Sequence, residues 1–182
     1  MNVCFTGHRP NKLGGYDWNT EKNKAIIDKL DHIINKLIFE YGATHFICGG
    51  ALGVDQMAFE ACNKMSGNCS ITTEVAAPFK NQACKWNKYD TDRYNNHLKC
   101  ADVVTYTDML DGYKIKGYQD GIYYPAKMQK RNMYMVDKSD IVVAVWDGTK
   151  GGTGNCVEYA KKQGKIIIRL NPDNMKITIE SR

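Results

Sequence analysis

Ile141-Val142-Val143-Ala144-Val145-Trp146 runs straight into Asp147-Gly148-Thr149-Lys150-Gly151-Gly152-Thr153-Gly154-Asn155-Cys156-Val157-Glu158. An unbroken apolar run without alternation reads as an interior strand of a parallel sheet, covered on both faces. The glycine-rich stretch after it predicts a loop opening a helix over about 155–163, and the Ile-rich residues 165–170 predict the next strand. The same order recurs upstream. Residues 2–6 read as a strand ending at Gly7, and residues 44–48 as a second strand running into Gly49-Gly50. Between them Ile26, Leu30, Ile33, Ile34, Leu37 and Tyr41 recur at steps of three and four, which predicts a helix over 20–41 stopped by Gly42. Val54, Met57, Ala58, Ala61, Cys62 and Met65 form a second stripe, closed by Gly67. Residues 71–77 read as strand three, ended by Pro78, and 102–107 as strand four. A short helix is expected around 91–100, capped by Asp90 or Thr91. Residues 108–124 are a Tyr- and Gly-rich loop, Pro125 suits the first turn of a helix running to about 138, and 171–182 form a tail or an added edge strand.

Strands alternating with helices imply right-handed crossovers and an α/β fold, a doubly wound, mainly parallel sheet with helices on both faces. The 182 residues suit a single domain over 1–182. A formal net charge of +5, with 43% hydrophobic and 25% charged residues, is ordinary globular composition and argues against disorder. No stretch approaches the ~18 apolar residues of a membrane span. The opening residues lack the basic segment and apolar run of a signal peptide, so a cytoplasmic location is expected. The seven cysteines contain no Cys-x-x-Cys pair, and Cys4, Cys48, Cys62 and Cys156 fall at packed positions. Reduced thiols acting as small hydrophobes are expected. His8, His32, His45 and His97 have no zinc-type spacing with them, so neither metal nor cofactor is expected.

Ligands of doubly wound sheets bind at the carboxyl ends of the strands, near the switch point. Glycine and polar groups are concentrated at three of those ends. After strand one, Gly7 permits close backbone approach, Arg9 suits a phosphate and His8 a hydrogen bond; the alternative is a tight turn with solvent-facing side chains. After strand two, Gly49, Gly50, Ala51 and Gly53 lead to a helix N-terminus that favours an anion, unless Asp55 merely complements the dipole of a close turn. After strand five, the amides and hydroxyls of Gly151, Gly152, Thr153, Gly154 and Asn155 could cradle a phosphate or ribose phosphate. Glu158 has two readings: Asn155 and Glu158 have the spacing of a capping box, or Glu158 meets the ligand. Asp147 is a candidate for ribose hydroxyls. Arg131 shares a helix face with Met128 and Met135. Read alone, it snorkels to solvent; otherwise it points into a pocket toward an anion. Asn132 follows it. Tyr113, Tyr118, Tyr123 and Tyr124 lie in or beside the long loop, with Trp86 upstream. One of them could stack on a base, while most pack the loop onto the body.

Taken together these motifs resemble the SLOG superfamily, named for the DprA/Smf and LOG proteins, and within it the YpsA-like family. The residues that carry the resemblance are Phe5-Thr6-Gly7-His8-Arg9-Pro10, Gly49-Gly50-Ala51-Leu52-Gly53-Val54-Asp55, Arg131-Asn132 with Val136–Asp140, and Gly151–Glu158. The resemblance implies a Rossmann-like domain that binds a nucleotide or nucleotide-derived ligand, a nucleoside phosphate or an NAD- or ADP-ribose-like molecule, as a sensor or sequestering module. It also implies a rival: the LOG enzymes free a base from a nucleoside 5′-monophosphate, and their Arg and Glu correspond to Arg131 and Glu158. Asn155 stands where LOG proteins carry Thr, and the LOG proline before the paired glycines is missing, which weakens the transfer of hydrolysis more than that of binding. A third reading, single-stranded DNA binding as in DprA, finds no contiguous basic tract in the sequence. Homo-oligomers are an expectation of the superfamily, since its domains often pair.

Overall fold

The computed structural model describes residues 1–180. Strands β1 (Asn2–Gly7), β2 (His45–Cys48), β3 (Thr72–Ala77), β4 (Val103–Tyr106), β5 (Ile141–Val145), β6 (Ile166–Leu170) and β7 (Ile177–Glu180) form one sheet in the order β4-β3-β2-β1-β5-β6-β7. All neighbours are parallel except β6 and β7, which are antiparallel. Within the 171–182 segment the edge strand is Ile177–Glu180, reached through a turn, and the last two residues lie outside those described. Every residue of β5 is buried, as its unbroken apolar run requires. β1 pairs with β2 on one side and β5 on the other, so the chain reverses its direction of travel across the sheet between β1 and β5. That gap is the switch point.

Alternate strand residues divide two cores. Val3 and Phe5 of β1, with Phe46, Val75 and Val143, face α1 (Glu21–Tyr41), α2 (Val54–Ser66) and α3 (Lys88–Cys100). Cys4, Ile47, Val142 and Ala144 face α4 (Pro125–Asp137) and α5 (Gly152–Lys162). This is the doubly wound α/β architecture expected from the alternation. Helix α1 is delimited as its sequence suggests: the Thr20 hydroxyl accepts from the Asn23 amide, and Gly42 ends the helix at φ 66°. No helix of the described residues is long and apolar enough to cross a membrane.

Two boundaries differ from expectation. α3 starts at Lys88, capped by the Asn87 side chain, which accepts from the Asp90 amide 2.9 Å away; neither Asp90 nor Thr91 is the cap. Asp90 is itself buried and takes a hydrogen bond from Asn87 Nδ2. α5 starts at Gly152, about a turn earlier than the glycine-rich sequence suggests, with Gly151 at the cap position and no side chain capping it. The Asn155 amide already donates to the Gly151 carbonyl, so Asn155 is inside the helix and the capping-box reading of Asn155 and Glu158 does not hold.

Candidate functional site

The strand ends at the switch point open onto a cleft of about 450 Å³. β1 delivers Gly7, His8 and Arg9 to it, because the β1–β5 register sets Gly7 opposite Val145 and both chains leave the sheet there. The start of α5 delivers Gly151, Gly152, Thr153 and Gly154; α4 delivers Arg131 and Asn132; the β2–α2 turn delivers Ala51, and the first turn of α2 delivers Asp55. Lining charges are unbalanced: Arg9, Lys12, Arg131 and Lys150 face a single carboxylate, Asp55.

The α5 end is open to an anion. Gly151 takes φ 150°, a conformation that side chains rarely adopt, and lets the chain turn directly into the helix without a capping group. The amides of Gly152, Thr153 and Gly154 thus lie in the first turn, where no intrahelical acceptor exists. The helix dipole adds to their pull on negative charge.

The α2 end is already used. Asp55 Oδ2 accepts from the Ala51 amide at 3.3 Å and from Arg131 Nη1 at 2.9 Å. Both side chains are nearly buried. Arg131 therefore does not snorkel to solvent; it crosses under the cleft to a partner 76 residues away in sequence. Its Nε is buried with no partner among the described residues. Gly49, Gly50 and Gly53 lie behind this arrangement rather than in the cleft lining. Gly49 makes room for the guanidinium, since an ideal Cβ there would lie 1.0 Å from Arg131 Nη1. Gly50 abuts the Tyr94 ring, and Gly53, at φ 97°, presses against the His8 carbonyl.

Asp147 sits at the rim. Its Oδ1 lies 2.8 Å from His8 Nε2 and accepts from the Thr149 amide and hydroxyl at 2.8 and 2.6 Å. Partial desolvation would raise this carboxyl, but those hydrogen bonds and His8 outweigh it and hold it well below the usual carboxylate range. Lys12 Nζ bonds the Thr149 hydroxyl and so ties the β1 loop to the β5 loop. Glu158 lies outside the cleft. Its side chain is 61% exposed, 3.8 Å from Lys161, in an adjoining groove with Asn155. The groove and the cleft share Pro125, Met128, Asn132 and Gly152 as a common wall.

Sequence reasoning missed Lys12, Thr149 and Lys150 as lining residues. Lys150 and Thr149 lay in view within the glycine stretch, but Lys12 reaches the cleft only because Pro10–Lys12 form a 3-10 turn that folds it back. Of the loop aromatics, Tyr123 lines the cleft. Trp86 packs edge-on against Tyr94, and Tyr113 packs against Tyr134, away from it.

The chain is 43% identical over 158 residues to the SPbeta prophage-derived protein YoqJ of Bacillus subtilis, covering 84% of this chain and 92% of that one. It is 24% identical over 186 residues to the UPF0398 protein YpsA of the same organism, covering 98% and 96%. Among solved structures it resembles DNA processing protein A from Streptococcus pneumoniae, at TM-score 0.61 and 16% identity over 93% of this chain. The Helicobacter pylori protein of that name, whose single-stranded DNA binding mode has been described, matches at TM-score 0.58 and 18% identity over 94% of this chain. The chain spans 50% and 65% of those two longer chains, respectively, and the likeness is one of fold. The family model described as the YspA SLOG family matches residues 3–174, and the chain belongs to that YpsA family.

Proposed function

We propose that the cleft binds a phosphorylated, nucleotide-derived ligand, a nucleoside phosphate or an ADP-ribose-like molecule, and that the protein acts as a sensor or sequestering module for it. The observation that carries this reading is the uncapped N-terminus of α5 opening into a cleft lined by four cationic side chains and one carboxylate. A phosphate seated on the amides of Gly151, Gly152, Thr153 and Gly154 would lie within the field of Arg9, Lys12, Lys150 and Arg131. His8, Asn132 and the Asp147 rim supply hydrogen-bonding groups for a sugar. Mass spectrometry of small molecules released from freshly purified protein, followed by calorimetric titration of nucleoside mono- and diphosphates and ADP-ribose, tests it. A co-purified nucleotide or saturable binding of a phosphorylated ligand is expected. No bound molecule and no heat with any of these compounds would overturn it.

Hydrolysis of a nucleoside 5′-monophosphate is the second reading, supported by the wall that the Glu158 groove shares with the cleft. A ligand anchored by its phosphate at α5 would reach Glu158 only by extending over that wall. Cleavage would pass through an oxocarbenium-like state, with Glu158 stabilising charge or directing water and Arg131 fixing orientation. The exposure of Glu158 and the commitment of Arg131 to Asp55 favour binding over turnover. Release of free base from the nucleotides, abolished by Glu158→Gln, separates the two. A salt-dependent shift of a labelled oligonucleotide would favour single-stranded DNA instead.

A further inference from the structure

Lys127 lies one helical turn before Arg131 on α4, yet its charge is turned away from the cleft. Its side chain and that of Asp108 are each 2% exposed, with Nζ 2.8 Å from Asp108 Oδ2. The same ammonium donates to the Gln119 carbonyl at 2.6 Å. The same Asp108 oxygen accepts from the Gly121 amide at 2.9 Å. Among the described residues Asp108 Oδ1 and the Thr107 hydroxyl are buried without partners, so Oδ2 carries every hydrogen bond that the Asp108 carboxylate makes; Tyr113 adds a separate tether, donating to Asp137 Oδ2 at 2.7 Å. The rings of Phe79 and Tyr124 flank the ammonium, with centroids 5.7 and 5.6 Å away.

These contacts fasten both ends of the Tyr- and Gly-rich loop. Between them the chain passes through Gly112 and Gly117, both at positive φ, and is largely exposed. Such a segment has little apolar burial of its own to fix it. Tyr123, two residues after Gly121, is edge-on to Phe79 at 6.0 Å and lines the cleft with 52% of its surface open. A buried ion pair contributes little net stability, but it strongly restricts geometry because either charge alone is costly to bury.

We propose that Asp108 and Lys127 are positioning residues that clasp the loop and set Tyr123 over the cleft as the wall that covers the ligand's base. The pair thereby determines selectivity for ligands that carry a base over those that carry only a sugar phosphate. The inference rests on the reading of the cleft as a nucleotide site. An aromatic ring held in place beforehand stacks without the cost of ordering its loop, whereas a free loop forfeits part of that gain.

The test is calorimetric titration of the wild-type chain and its variants with the four common nucleoside 5′-monophosphates and with ribose 5-phosphate. Tyr123→Ala should weaken the tightest nucleotide about tenfold, the worth of one base–aromatic stack, and ribose 5-phosphate less than about twofold. The double variant Asp108→Asn with Lys127→Met buries no unpaired charge and should reproduce that selective loss, while Tyr123→Phe should retain wild-type selectivity. If the folded double variant keeps wild-type affinities, or loses both ligand classes equally, the clasp does not set selectivity. Should the double variant fail to fold, Asp108→Glu decides: it keeps both charges but moves the carboxylate by one methylene, so it should weaken the nucleotide selectively over ribose 5-phosphate, and wild-type affinities for both overturn the proposal. If the wild-type chain binds neither class, the reading of the cleft itself fails and the inference falls with it.

Discussion

Replacing Gly49 by alanine adds one methyl group where the structure has none to spare. An ideal Cβ would lie 1.0 Å from Arg131 Nη1, 2.2 Å from its Cζ and 2.5 Å from Asp55 Oδ2. No small adjustment relieves a 1.0 Å approach, so the guanidinium must leave Asp55. Removing one member of a buried ion pair costs about 3–5 kcal/mol. A displaced Arg131 regains some water through the cleft, which lowers the expected cost to about 2–3 kcal/mol. In a domain of about 150–250 residues each kcal/mol moves Tm by roughly 2–4 °C, so Gly49→Ala should lower Tm by about 4–12 °C. The assay is thermal unfolding followed by circular dichroism, repeated in an Arg131→Ala background. There the same methyl group meets no guanidinium, and the two substitutions should be strongly non-additive. A Tm unchanged within about 1 °C for Gly49→Ala, or an equal loss with and without Arg131, would refute the reasoning.

Asp55→Asn keeps the shape but removes the only carboxylate that lines the cleft among the described residues; it should lower Tm while tightening binding of inorganic phosphate several-fold, because Arg131 is released to the ligand, and calorimetry reads the sign directly. Thiol reactivity should follow burial: Cys84 and Cys100 are exposed and should react with a disulfide reagent first, Cys69 more slowly, and Cys4, Cys48, Cys62 and Cys156 only after unfolding. Burial pushes the Cys156 thiol up to about 11, so raising the pH to 9 should not expose it to alkylation. Burial alone would raise the Glu74 carboxyl, but hydrogen bonds from His45, Thr105 and Tyr134 outweigh it and hold it below the ordinary glutamate value of 4.5. Its folded-state contribution is therefore present above that pH and lost as the pH falls through the lowered value, so Glu74→Gln should flatten the acid limb of a stability–pH curve measured by urea unfolding.

The fold was legible wherever one residue pattern had one structural use. The β5 run, the α1 stripe with Thr20 and Gly42, and the order of strands and helices all came from periodicity and punctuation. The start of α5 was not, because Gly152 and Gly154 are poor helix formers and read as loop; the uncapped end they make is the feature that attracts an anion. The start of α3 was hidden because Lys88 and Tyr89 are exposed and carry no apolar rhythm. At the site, Gly7, His8, Arg9, Arg131 and residues 151–154 were found from local motifs and do meet around one cleft. The partner of Arg131 was beyond reach, since Asp55 lies on another helix and looked like a dipole-complementing residue. Glu158 shares its motif with the cradle, yet it stands a full turn further along α5 than Gly154 and lines the neighbouring groove.

The central claim is that negative charge is received by the free amides at the start of α5. Nitrogen-edited NMR of the backbone amides during titration with a nucleoside 5′-monophosphate or ADP-ribose tests it residue by residue. The largest shifts are expected at Gly151, Gly152, Thr153 and Gly154, with smaller ones at Gly7 to Arg9, saturating together. Shifts confined to other parts of the molecule, or none at saturating ligand, would contradict it.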